Sequence, residues 1–239
     1  MFWLGLLLLI GAYLLGSIPT AYLAGRWLRN IDIRYHGTGN VGGSNVWHSV
    51  ARWAIVPVGL FDVGKAALPA WLALGPLNLG YPWAVAAGLC AGLGHAWSLY
   101  LGFTGGRALG CILGLLVVVF PQGALIQLLL MGLGVLLHVE QPIAIVGLLA
   151  MPALSLAFDR PPAVMWGCVA AIVLTALKRL EANRTPLPSS GPERRQVIWR
   201  RLWLDRDIPS HEAWVARGPA EIQPDTKQEP DTTPSDAKS

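Results

Sequence analysis

Residues 36–45 read HGTGNVGGSN, and the fold turns on what that stretch is for. Its ten residues carry four glycines, two asparagines and two hydroxyls. Gly37, Gly39 and Gly42 stand in G-x-G-x-x-G spacing, the fingerprint of dinucleotide-binding folds. That fingerprint has its meaning only between a strand and a helix of a βαβ unit. Here it follows an apolar run, Met1 to Gly25, without Asp, Glu, Lys or Arg, and then the basic stretch Arg26 to Arg34. No strand alternation surrounds it, so the dinucleotide match is accidental.

The rest of the chain says what the stretch sits beside. Of 239 residues, 54% are hydrophobic and 13% charged, where soluble domains carry about 25% charged residues. Most of the charge lies in the last quarter, and Ala108 to Leu137 has none. A bilayer core needs about 20 apolar residues per helix, and several such runs are present. The composition predicts an all-α integral membrane protein. Hydropathy breaks give a bundle of seven transmembrane segments, near 3–23, 51–74, 82–101, 108–120, 122–138, 142–158 and 162–179. The fourth is short and is expected to tilt or pack inside the bundle, and Pro121-Gln122-Gly123 implies a tight turn to the fifth. Nothing basic precedes Phe2, so the first run reads as a retained helix rather than a cleaved signal. Cys90, Cys111 and Cys168 lie in apolar runs without metal-ligand spacing and read as small buried hydrophobes. No metal, cofactor or nucleic-acid partner is expected.

Basic residues concentrate on cytoplasmic connections. The first connection holds Arg26, Arg29 and Arg34, with Arg52 at the next helix start. The second, Gly75 to Tyr81, has no charge, the third carries Arg107, and Lys178, Arg179 and Arg184 follow the last segment. The N-terminus is therefore expected outside, with the C-terminus and the glycine loop in the cytoplasm. Residues 1–184 read as the transmembrane domain, and 185–218 as a Pro/Ser-rich linker with a basic amphipathic cytoplasmic segment at 194–204. That segment suits either an anionic membrane surface or packing on the cytosolic loops. Residues 219–239 read as a disordered tail.

Three constellations carry chemistry. Consecutive glycines let backbone N–H groups close on phosphate oxygens, and Thr38, Asn40, Ser44 and Asn45 add side-chain donors before a helix expected near Val46. Gly105-Gly106-Arg107 repeats the device on the same face, with Arg107 offering a bidentate fork. Gly94-His95 lies just upstream. Asp62 and Lys65 share one helix face inside the membrane, where charges are costly and usually paired. They read either as a structural ion pair or as Lys65 holding an anionic substrate that Asp62 orients.

These residues resemble the bacterial acyl-phosphate:glycerol-3-phosphate acyltransferases, the PlsY family, over about residues 11–180. The resemblance rests on Gly16-Ser17-Ile18-Pro19, Ile31-Asp32-Ile33-Arg34, Gly37 to Asn45, Asp62 with Lys65, Gly94-His95, and Phe103 with Gly105-Gly106-Arg107. It implies seven helices, a cytoplasmic active site in the bacterial plasma membrane, and acyl transfer from acyl-phosphate to glycerol 3-phosphate, giving lysophosphatidic acid for phospholipid synthesis. Thr38, Asn45 and His95 become the expected catalytic residues. Ser17, Arg34, Gly37, Asn40, Gly42, Ser44, His48, Arg52, Lys65, Gly105, Gly106, Arg107 and Arg179 become the expected substrate contacts. Departures are Thr38 for serine, His48 for arginine, Arg107 for lysine and Ala108 for glycine. The family's third motif, a His and an Asn before Arg-Leu, is reduced to Arg179-Leu180. Arg52, His48 and Arg179 are expected to replace it beside the two glycine loops.

The leaving group is already activated, so positioning and charge stabilisation can carry the step without a covalent nucleophile. Other readings stay open: a catalytically altered or inactive relative, a small anion or metabolite transporter, or a scaffold acting through 194–204. No inverted repeat supports the transporter. Without residues 190–239, a scaffold should lose its role and an enzyme should keep activity.

Overall fold

The computed structural model describes residues 1–217, and all of its regular elements are helices. The tail expected at 219–239 lies outside the described residues. The first apolar run forms α1 (Phe2–Ser17) and α2 (Thr20–Arg29). Pro19 separates them: it brings no N–H, and it forces Ile18 out of the helical region, to φ −58 and ψ 116. After the glycine loop come α3 (Gly43–Ser49) and α4 (Ile55–Leu74). Then follow α5 (Tyr81–Ala96), α6 (Leu109–Val119), α7 (Pro121–Leu136), α8 (Glu140–Ala157) and α9 (Pro162–Glu181). The long helices fall on the hydropathy segments. Among the described residues, four stretches are long and apolar enough to cross a bilayer: Phe2–Arg29, Arg52–Leu74, Glu140–Ala157 and Pro162–Glu181.

Lipid and a buried leucine are equally apolar, so helices in a membrane associate by close packing of small residues. The core follows that rule, with Ala66, Ala70, Ala73, Ala84, Ala87 and Ala91 fully buried. On α1 and α5 the approach is reciprocal. A side chain on Gly16 would strike the Ala91 carbonyl, and one on Gly94 would strike the Tyr13 carbonyl. The short α6 is lodged inside the bundle, with Cys111, Ile112, Leu115 and Leu116 buried. That is one of the two placements expected for an 11-residue helix, which spans only about half a bilayer core.

The connections sort onto two ends. At one, Arg160 in the α8–α9 turn donates to the Tyr81 hydroxyl (3.2 Å) and the Val119 carbonyl (2.7 Å), gathering the start of α5 and the end of α6. At the other lie the glycine loop, the α5–α6 connection and the chain beyond α9. That chain forms α10 (Gly191–Leu204) and α11 (His211–Val215). Helix α10 packs on α8 and α9. Its Arg201 is buried, donating to the carbonyls of Leu180, Thr185 and Pro186 and pairing with Asp207 at 2.7 Å. The basic segment thus packs by one face on the end of the bundle, while Trp199 stays exposed.

The glycine packing yields a paired test. Gly94→Ala, which drives a methyl into α1 backbone, should destabilise the bundle by about 1–3 kcal/mol. Gly11→Ala, with open space around it, should be neutral or stabilising through helix propensity. Reversible unfolding in mixed detergent micelles reads both; equal effects would contradict the α1–α5 contact.

Candidate active site

The site begins at the break that Pro19 imposes. The end of α1 leaves carbonyls without helical partners, and Lys65 Nζ from α4 donates to one of them, Ile18. It also donates to Thr20 Oγ1 (3.2 Å) and to Asp62 Oδ1 (2.7 Å), which uses its three donors. Lys65, expected at the substrate, is committed to the protein here. Thr20 donates to the same Asp62 oxygen at 2.7 Å, and His95 Nδ1 lies 3.5 Å from it. The buried Asp62–Lys65 pair therefore ties together the end of α1, α2, α4 and α5. The other edge of the His95 ring faces Gly106: a side chain on Gly106 would strike His95 Nε2 and crowd the Val41 carbonyl. Gly106 N in turn donates to the His95 carbonyl at 3.0 Å.

The first glycine loop is organised by Asn45, which is fully buried on α3. Its Oδ1 accepts from Thr38 N (3.1 Å) and Ser49 Oγ (3.0 Å), and its Nδ2 donates to the carbonyls of Ile33, His36 and Asn40. Gly37 must be glycine: its φ is +58, and a side chain there would strike Ser49 and Asn45. Thr38 Oγ1 accepts from Asn40 N at 3.3 Å, which leaves the hydroxyl proton to give. Asn40 is buried, yet its Oδ1 accepts no hydrogen bond among the described residues. A buried acceptor without a donor costs on the order of 1–3 kcal/mol, so this atom is set to receive one. Ser44 is exposed at the start of α3, and Gly42 is extended and meets only Asn40.

The cations are already paired. Arg34 is held by Asp32 at 2.6 Å and flanked by the rings of Tyr22 and Tyr35. Burial pushes the Asp32 carboxyl up, but the hydrogen bonds and charge of Arg34 hold it below the usual carboxylate range. Arg107 is buried, with Nε on Asp205 at 2.6 Å and Nη1 on the Lys178 carbonyl at 3.3 Å. Ser17 is buried where α1 meets the α5–α6 connection: its carbonyl accepts from Ser98 Oγ.

The residues expected to replace the third motif do not all gather here. Arg52 is exposed and lies over the Trp47 ring, 5.7 Å away. His48 stacks edgewise on His211, and burial together with that neighbour holds its imidazole below the ordinary value. It carries little charge at neutral pH. Arg179 is buried, donating to the Leu202 carbonyl and to Gln141 Oε1, both at 2.7 Å. Asn183 is what joins the loops. Gly105 N donates to its Oδ1 (3.2 Å), while its Nδ2 donates to the carbonyls of Gly105 (3.1 Å) and Gly39 (3.2 Å). Sequence reasoning passed over Asn183, although it is the one Asn, Gln or His between Gln141 and Gln196. It also missed the Asp62–His95 contact, for which a sequence offers only equal depth in two helices.

The profile of the glycerol-3-phosphate acyltransferase family matches residues 6–185. The chain belongs to that family. It is 34% identical over 230 residues to glycerol-3-phosphate acyltransferase 5 of Dehalococcoides mccartyi, covering 92% of this chain and 97% of that one. It is 41% identical over 154 residues to the glycerol-3-phosphate acyltransferase of a Synechococcus species, covering 63% and 76%. The crystal structure of PlsY (YgiH), an integral membrane glycerol 3-phosphate acyltransferase, in its glycerol 3-phosphate form superposes with a TM-score of 0.69. That pair is 28% identical and covers 74% of this chain and 88% of the other. The membrane character of this chain, its helical class and its acyltransferase family thus agree with the expectations from its sequence.

Gly106 and Gly42 separate the two reasons a site uses glycine. Gly106→Ala should cut activity at least tenfold, because its methyl has no room between His95 and Val41. Gly42→Ala meets only a movable amide and should stay within a few-fold of the parent. Steady-state turnover of the two folded variants decides it, and equal losses would contradict the packing described.

Proposed function

We propose that the chain transfers an acyl group from acyl-phosphate to the hydroxyl of glycerol 3-phosphate at the end of the bundle where the two glycine loops meet. The observation that carries this reading is the meeting of the two glycine loops, where the His95 ring and the Val41 carbonyl close on Gly106 and the first loop keeps the buried, unpaired Asn40 acceptor. Arg107 suits a phosphate oxygen, and Asn40 Oδ1 suits a glycerol hydroxyl. The apolar helices suit the acyl chain, with membrane lipid around them.

His95 is the proposed proton acceptor. Asp62 sits at its Nδ1 and fixes the ring, which leaves Nε2 turned to the loop junction. The hydroxyl oxygen adds to the acyl carbon as its proton passes to Nε2. Thr38 donates to the oxygen that gains charge. The bond between acyl carbon and phosphate oxygen then breaks, and inorganic phosphate leaves with the proton from His95. Asn45, fully engaged, positions Thr38 rather than touching substrate.

The same reading takes all seven hydropathy segments as membrane crossings, 1–184 as the acyltransferase domain, and the loop end as cytoplasmic. The charge distribution supports it: Arg26, Arg29, Arg34, Arg52, Arg107, Lys178 and Arg179 lie toward the loop end. At the opposite end, among the described residues, Arg160 is the basic group.

Purified protein in detergent should convert a long-chain acyl-phosphate and glycerol 3-phosphate to lysophosphatidic acid, and His95→Gln should lower kcat about 100-fold or more. Inverted membrane vesicles should turn over external glycerol 3-phosphate, and right-side-out vesicles should not. A His95→Gln protein with the parent's kcat would move the proton acceptor to the substrate phosphate. No product at all would overturn the reading.

A further inference from the structure

The chain beyond α9 does more than leave the membrane. Ala182 and Asn183 both adopt left-handed backbone, with φ of 46 and 54, and turn the chain sharply at the end of α9. Asn tolerates that conformation better than most residues. Its short amide then reaches into the junction and satisfies three backbone groups, two on the second glycine loop and one on the first. Further on, α10 ends at Asp205, also left-handed, which delivers its carboxylate to Arg107. Beyond α11 the chain returns to the first loop: Gly37 N donates to the Arg217 carbonyl at 3.0 Å, and Arg217 Nη2 donates to the carbonyls of Gly37 and Thr38.

We propose that Asn183 and Asp205 are positioning residues of the acyl-transfer site, Asn183 by clamping the two glycine loops together and Asp205 by aiming the Arg107 guanidinium. The proposal rests on the acyl-transfer reading above. With Nε on Asp205 and Nη1 on the Lys178 carbonyl, Arg107 keeps Nη2 without a hydrogen bond among the described residues. That nitrogen keeps both of its N–H groups for a phosphate oxygen. A buried guanidinium held at two of its nitrogens presents the third in a fixed direction, and less rotamer freedom is lost when the anion arrives.

A detachable cap that merely mimics phosphate would fit the ion pair alone. It does not fit the rest of the segment. Arg201 is 1% exposed and bonded to three carbonyls and Asp207, while Val197 and Trp214 are also buried. Undocking α10 would leave that arginine's partners open and expose apolar surface. Residues 186–217 are therefore a fixed part of the site. Asp205 lies beyond residues 6–185, which the family profile matches, but the Dehalococcoides relative aligns over 92% of the chain and so extends past them. The expectation that an enzyme keeps its activity without residues 190–239 is replaced here, because that deletion removes Asp205 and Arg217.

Three variants test the proposal beside the parent in the same product assay. Asn183→Gly keeps the left-handed backbone and removes only the clamp. It should raise the KM for glycerol 3-phosphate about tenfold, as the loss of about 1.4 kcal/mol would, with kcat within about twofold and an unchanged unfolding midpoint. Asp205→Ala should lower kcat/KM for glycerol 3-phosphate about tenfold, while Asp205→Asn, which keeps an acceptor for Nε, should restore most of it. A parental KM in Asn183→Gly overturns the clamp. Faster turnover in Asp205→Ala overturns the aiming role and makes the carboxylate a competitor of the substrate phosphate. Activity losses that merely track a lowered unfolding midpoint also overturn it. Absence of product from the parent itself would instead be a failure of the acyl-transfer reading.

Discussion

A carboxylate buried in a membrane helix has to be answered by the protein around it, and Asp62 is answered three times. Lys65, Thr20 and His95 come from the same helix, from the helix across the Pro19 break, and from the end of α5. Desolvating an ion pair costs several kcal/mol per charge unless hydrogen bonds complete it. The completion here ties the break that Pro19 makes after α1 to α2 and to the His95 ring. Removing one partner would strand a charge, so fold and site share a single constraint.

Around that anchor the site is built mostly from backbone. Gly106 has no side chain because His95 and Val41 occupy the space, and Gly37 because its backbone is left-handed. Asn45 and Asn183 do for parts of the loops what a sheet does for a strand, partnering the amides of Thr38 and Gly105 and the carbonyls of Ile33, His36, Gly39, Asn40 and Gly105. The cations arrive already neutralised, Arg34 by Asp32 and Arg107 by Asp205. Paired in this way they can lie buried, where a resting cluster of unpaired cations would repel itself.

The membrane helices were legible because the requirement behind them is one-dimensional: an apolar run of sufficient length. The length of α6 left two placements open, a tilt or lodging inside the bundle, and the structure takes the second. The Pro19 break was written in Gly16-Ser17-Ile18-Pro19, yet hydropathy runs straight across it and merges α1 with the start of α2. Two loops of one composition on one face suggested a shared site, and Gly106 of the second does lie against Val41 of the first. Pairings between distant residues were not legible. Lys65 could be read as a ligand or an anchor, and only the Ile18 carbonyl and Thr20 decide its bonds. Arg52 has the right charge and a surface position. Asn183 and Asp205 act over 144 and 98 residues, and no local periodicity encodes such distances.

In the proposed acyl transfer, Asp62 serves the reaction through His95. A double-mutant cycle on the folded fractions of Asp62→Asn, His95→Gln and the double variant, reading kcat/KM for glycerol 3-phosphate, tests it most directly. If Asp62 acts by orienting His95, the double variant is no slower than His95→Gln alone, as for residues that work as a unit. If the two losses multiply, Asp62 and His95 contribute independently and the account is wrong.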